Sequence, residues 1–147
     1  MIACTEFIPA YSELFKFLHQ QGGKAAVTAF WEHLSDAFLG NLRELATQKG
    51  LAGCFEYWRR TLSEEAADFR MTLDEAEGVF TIEMRACPSK GRLLAASHMA
   101  PYEAYCEHCD LLYRRVLEPL GYDYHIDLSR ADRAQCVLMV REKRDSA

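Results

Sequence analysis

The sequence predicts an α+β fold: N-terminal helices packed on a four-stranded, mostly antiparallel sheet, with a cysteine-bearing helix connecting two β-hairpins. Three observations predict it. Apolar residues recur near every 3.6 positions through the first half of the chain. Two later stretches each hold a pair of runs alternating apolar and polar residues around a turn. Between those pairs, the stretch bounded by Pro101 and Pro119 returns to helical spacing.

Tyr11, Leu14, Phe15 and Leu18 place a first helix over Pro9 to His19, ended by Gly22-Gly23. From Lys24 to Lys49, the residues Val27, Phe30, Trp31, Leu34, Phe38, Leu42 and Leu45 form the single stripe of a long helix. Gly40 is a point for it to bend, and Gly50 follows its end. A third helix, Leu51 to Leu62, carries Cys54, Phe55, Tyr57 and Trp58 and ends near Ser63-Glu64-Glu65.

The period then changes to two. Phe69, Met71 and Leu73 alternate with Arg70, Thr72 and Asp74, and after Glu75-Ala76-Glu77-Gly78 the residues Phe80, Ile82, Met84 and Ala86 alternate with Thr81, Glu83 and Arg85. Two such runs around a Gly-containing turn make a β-hairpin. Cys87-Pro88 closes its second strand, because Pro cannot donate to a ladder. A helix is predicted over Pro101 to Leu120, with Pro at its start and Pro119-Leu120-Gly121 at its end. A second hairpin follows: Tyr122, Tyr124, Ile126 and Leu128 alternate with polar residues, Ser129 to Arg133 turn, and Cys136 to Val140 return. With no linker or internal repeat, 1–147 reads as one domain: a helical half to about 66, a sheet-plus-helix half to about 141, and a charged tail over 142–147.

Half of the 147 residues are apolar, enough for a core without covalent staples. The net charge of −5, with no basic block, argues against a nucleic-acid partner. No run of about 18 apolar residues exists, so no membrane span is expected. The opening Met-Ile-Ala-Cys-Thr-Glu has neither the basic start nor the apolar stretch of a signal peptide, and a cytoplasmic location is expected. In that compartment six cysteines do not suggest a disulfide framework, so another use for them is sought.

Cys106-Glu-His-Cys109 falls inside the predicted helix. At about 100° per residue, Tyr102, Tyr105, Cys106, Cys109, Leu112, Tyr113 and Val116 share one apolar arc. Glu103, Glu107, Arg114 and Glu118 lie opposite, as does Leu111, whose place there offers a contact for self-association into a homo-oligomer. Cys87 ends the second strand and Cys136 begins the fourth, so a helix packed across the sheet could bring four sulfurs together. Three uses are open: inert packing, a thiolate metal site in which C-x2-C supplies two ligands, or a reactive thiol. The metal set would be Cys87, Cys106, Cys109 and Cys136, with zinc first and iron or an iron–sulfur cluster as alternatives. Cys4 and Cys54 read as packing residues. A redox pair of thioredoxin type is disfavoured, since its C-x-x-C opens a helix and this one lies several residues beyond Pro101.

A cysteine nucleophile needs a base within reach. His108 diverges from Cys106 by about 200° on a helix and is expected at a surface or edge. His98, in the loop before the cysteine helix, is the preferred proton shuttle, against a merely solvated loop histidine. His19, His33 and His125 show no ligand spacing. Arg85, Arg92, Arg114 and Arg115 are carboxylate-binding types but are expected to be solvated. In Glu56-Tyr57-Trp58-Arg59-Arg60, Trp58 is expected in the core with the arginines outside. No G-x-S-x-G, P-loop, H-E-x-x-H or G-x-G-x-x-G occurs.

From about Cys54 to Val140 the chain resembles the L-2-amino-thiazoline-4-carboxylic acid hydrolase family of small bacterial proteins. The resembling features are the strand ending in Cys87-Pro88, Tyr105-Cys106-Glu107 in a helix, and a final strand carrying Cys136 before apolar residues. Where the family pattern has an acidic residue three after the helix cysteine, this chain has Cys109, followed by Asp110. The resemblance implies hydrolysis of a carbon–nitrogen bond in a small heterocycle or amide, with Cys87, Cys106 and Cys136 as site positions. Two mechanisms are compatible with it. In one, thiolates hold zinc and an open fourth position activates water for attack on an amidine-like carbon; if all four cysteines ligate, the site is closed and structural. In the other, a low-pKa thiolate, Cys106 or Cys87, attacks covalently with His98 moving the proton. Two alternatives stand beside the hydrolase: a non-enzymatic metal-binding or redox-responsive module using the same cysteines, and a small-molecule-binding domain with an aromatic pocket built from some of the seven tyrosines and two tryptophans.

Overall fold

The computed structural model describes residues 5–144, so Cys4 lies outside the described residues. Helix α1 covers Phe7–Phe38, but Gly22 and Gly23 inside it are not helical. Gly23 has φ 71°, a backbone conformation that disfavours a side chain. The chain reverses there. The rings of Phe15 and Trp31 lie 5.3 Å apart between centroids, whereas 16 residues of continuous helix would separate them by about 24 Å. The two arms of α1 therefore pack on each other, as the stop expected at Gly22-Gly23 requires.

The long helix expected from Lys24 to Lys49 breaks in two. Leu39, 1% exposed, leaves helical geometry at φ −94°, ψ 21° and turns into the core, and α2 then runs Gly40–Lys49. Helix α3, Leu51–Ser63, crosses α2 at close range. A Cβ added at Gly53 would lie 2.0 Å from the carbonyl oxygen of Leu45, so only glycine fits. No helix among the described residues is long and apolar enough to cross a membrane.

Strands β1 (Asp68–Asp74) and β2 (Val79–Ala86) form the first hairpin, β3 (Tyr122–Asp127) and β4 (Cys136–Glu142) the second. The strand order is β1-β2-β4-β3, and every neighbouring pair is antiparallel. The two hairpins join through β2 and β4, where Phe80 faces Val140, Ile82 faces Leu138 and Met84 faces Cys136. The period-two pattern sets this register, since a one-residue slip would turn Phe80, Ile82, Leu138 and Val140 out of the core. These residues pack with Leu42, Ala46, Cys54, Trp58, Leu112 and Val116 from α2, α3 and the last helix.

Two elements differ from expectation. Pro88–Ala95 forms a helix, α4, with Cys87 at its N-cap and Pro88 in its first turn. The predicted helix from Pro101 is shorter: α5 spans Glu107–Leu117, followed by a 3-10 turn over Glu118–Leu120. The segment before it advances by three-residue turns, with Tyr105 N donating to Tyr102 O, Glu107 N to Ala104 O and Cys109 N to Cys106 O. Its geometry is set by a second core. Tyr102 and Tyr105 pack with Phe15, Val27 and Trp31 of α1 and with Leu93 of α4.

Helix α5 lies between the two cores. Leu112, Val116 and Leu117 face the sheet side, while Leu111 packs against the aromatic cluster of α1. The contact read for self-association is therefore used inside the chain.

Candidate functional site

A cavity of about 320 Å³ opens where α3, α4, α5 and the sheet meet. Its walls are mainly apolar, with Trp58, Ile82, Tyr113, Ile126 and Leu138 among them. Three cysteines line it: Cys87 from the start of α4, Cys109 from the first turn of α5, and Cys136 from the start of β4. His108, Ser89, Thr61 and Glu65 supply the other polar groups.

Sequence spacing thus brings three of the four expected cysteines to one cavity. Cys106 is not among its lining residues. The shortened helix places Cys106 at the N-cap of α5, and it lines a separate cleft with His19, Lys24, Lys90 and Tyr102. Consequently the C-x-x-C pair does open a helix, contrary to expectation. All five described cysteines are unpaired as thiols. Among the described residues, no group of three or more His, Cys, Asp or Glu is placed to hold a metal ion. The expected set of Cys87, Cys106, Cys109 and Cys136 is thus divided, with three lining this cavity and Cys106 the neighbouring cleft.

His108 is the residue that sequence spacing misplaced. It is 8% exposed, since the side of α5 expected to meet water meets α1 instead. Its ring packs edge-on to Tyr11 and Tyr105, with centroids 5.4 and 4.7 Å away, and tilted against Phe15. Nδ1 contacts the carbonyl oxygen of Tyr105, and a carbonyl can only accept, so Nδ1 carries the proton. Nε2 is then the bare acceptor, and it lies 3.6 Å from Sγ of Cys109. A thiol, an imidazole lone pair and an orienting group behind the ring stand in sequence, the arrangement of an activated nucleophile.

Burial sets the charge state of this pair. It pushes the Cys109 thiol up to about 12, with Asp110 adding to the effect. It lowers His108 to about 4, against the opposing effect of the hydrogen bond that His108 donates to the Tyr105 carbonyl. Both are neutral near pH 7. The low-pKa thiolate expected at Cys106 or Cys87 is absent: burial pushes Cys106 up to about 11, and Cys136 and Cys54 to about 12. Cys87 is also raised by burial, but the backbone N–H groups of Lys90 and Ser89 oppose it. Lys90 N–H lies 3.4 Å from its Sγ at the N-terminus of α4, a place where helix geometry favours a thiolate.

His98 lies exposed in the loop after α4 and does not line the cavity. His19 is hydrogen-bonded to Tyr102 Oη at 2.9 Å, and His33 and His125 are exposed. The four arginines are engaged elsewhere: Arg85 with Asp68, Arg92 with the Thr5 carbonyl, Arg114 with Asp110 and Glu118, and Arg115 with Asp36. Trp58 is buried, and Arg59 and Arg60 are exposed, as expected. Cys54 is fully buried in the sheet-side core.

One signal in the sequence points to the part that spacing missed. Pro is favoured in the first turn of a helix, so Cys87-Pro88-Ser89-Lys90 reads as a helix start as well as a strand end. Compared with family models, with curated proteins and with solved structures, the chain matches none.

Proposed function

We propose that the protein hydrolyses a carbon–nitrogen bond of a small, largely apolar heterocycle or amide, with Cys109 as nucleophile and His108 as its base. The contact of Cys109 Sγ with His108 Nε2 on the cavity wall carries this reading. The resemblance to L-2-amino-thiazoline-4-carboxylic acid hydrolases supports the choice of reaction class, and Cys87 and Cys136, two of its three site positions, line the same cavity.

The chemistry proceeds in two displacements. Sγ of Cys109 attacks the amidine-like or acyl carbon while its proton passes to Nε2. The carbon–nitrogen bond then breaks, and the imidazolium returns that proton to the leaving nitrogen. Water attacks the resulting thioester-like adduct, giving one proton to Nε2. Expulsion of Sγ takes that proton back and restores the thiol. Because the resting pair is neutral, the base acts during attack, as it does for a serine nucleophile.

A panel of cyclic amidines and small aryl amides, with released amine as the readout, tests the reaction. Cys109→Ala should lower turnover by at least about 10³-fold and His108→Gln by about 10²–10⁴-fold. A Cys109→Ala protein with the wild-type rate would overturn the assignment. The Lys90 N–H contact to Cys87 supports a second reading, with Cys87 as the attacking sulfur. Mass spectrometry of the trapped adduct separates the two sulfurs.

A further inference from the structure

The charge on the cavity wall narrows what it can hold. Of the residues that line it, Glu65 is the one aspartate or glutamate, no lysine or arginine is present, and His108 is neutral. Glu65 is half-buried, and none of the ion pairs or side-chain hydrogen bonds among the described residues involves its carboxylate. The opposite pole, the N-terminus of α4, is already taken. Lys90 N–H donates to Cys87 Sγ, and Pro88 has no N–H to offer.

We infer that the cavity takes a planar apolar molecule bearing an amidinium or similar cation, that Glu65 pairs with that cation and sets this specificity, and that carboxylate ligands are rejected. An amidinium presents two parallel N–H groups to a carboxylate, as a guanidinium does. A carboxylate ligand would lose its water, find no cation and face Glu65. The volume suits one ring and a small substituent, since a cavity of about 150 Å³ already accepts benzene. Trp58, Tyr113 and the aliphatic side chains of the sheet give such a ring flat, apolar contacts. A cation held here would also favour charge on a neighbouring sulfur during attack, which the neutral resting pair lacks.

This inference rests on the hydrolase reading for the site but is tested through binding, which does not need turnover. Benzamidinium, benzamide and benzoate share one shape and differ in charge. Titrated into the full chain and followed by tryptophan fluorescence, benzamidinium should bind at least about tenfold more tightly than benzoate. That ratio should shrink with added salt. Glu65→Gln should bring benzamidinium and benzamide to similar affinity, while Glu64→Gln, one residue away and outside the lining, should leave the preference intact. Benzoate binding as well as benzamidinium, or a preference that survives Glu65→Gln, overturns the inference. Cation preference without turnover of any amidine sinks the hydrolase reading alone, and turnover without cation preference sinks this inference alone.

Discussion

The backbone N–H of Tyr102 donates to Oγ of Ser12 at 2.8 Å, and both residues are buried. This bond joins α1 to the segment that leads into α5, so it fixes where His108 and Cys109 begin their turn. Replacing Ser12 by Ala leaves a buried N–H without a partner, which costs about 1–3 kcal/mol. Urea denaturation should show a lower midpoint with an unchanged slope.

Two glycines, Gly53 in α3 and Gly40 at the start of α2, should respond in opposite directions. Gly53→Ala places a methyl 2.0 Å from the Leu45 carbonyl and must push the helices apart, a loss of about 1–3 kcal/mol or more. Gly40, at the start of α2, has open space around its Cβ position. Gly40→Ala should stabilise by about 0.4–1 kcal/mol. Equilibrium denaturation of the pair checks both signs.

Stability should rise with pH between about 4 and 6.5 because His108 stays neutral when folded. In that window the unfolded chain binds a proton that the folded chain, with His108 lowered to about 4, does not. The contribution is at most about 3 kcal/mol. Denaturation midpoints from pH 4 to 7 should show this slope in wild type and a shallower one in His108→Gln.

The alkaline arm has the opposite sign. Cys54, Cys109 and Cys136 are pushed up to about 12 when folded, while an unfolded thiol ionises near about 8.5. Above that pH the unfolded chain releases protons that the folded chain keeps, so stability falls. Near pH 8 these thiols should also alkylate more slowly than free cysteine, and Cys87, helped by the Lys90 N–H, should be the first of the three cavity cysteines to react. Peptide mapping after timed iodoacetamide treatment reads the order; Cys109 reacting before Cys87 would contradict it.

Local patterns in the chain determined much of this architecture. The alternation of Phe80 and Ile82 with polar residues, and the same alternation around Leu138 and Val140, specified both hairpins, because period two exposes one strand face and buries the other. The 3.6 spacing of Phe15, Val27 and Trp31, with Gly22-Gly23 between, specified two helical arms and the reversal that joins them. Cysteine positions pointed to the helix–sheet junction where Cys87, Cys109 and Cys136 line one cavity.

Tertiary contacts decided what spacing could not. A helical wheel assigns one buried face, yet α5 is covered on two sides, by the sheet and by α1, so Leu111 and His108 are enclosed where a wheel turns them to water. Tyr102 and Tyr105 serve the α1 aromatic cluster, which delays the start of α5 and turns Cys106 toward a different cleft from Cys109. The pairing of His108 with Cys109, and the placement of Glu65 on the wall of the same cavity, follow from packing between elements distant in the chain, and one helix's periodicity carries no record of its second neighbour.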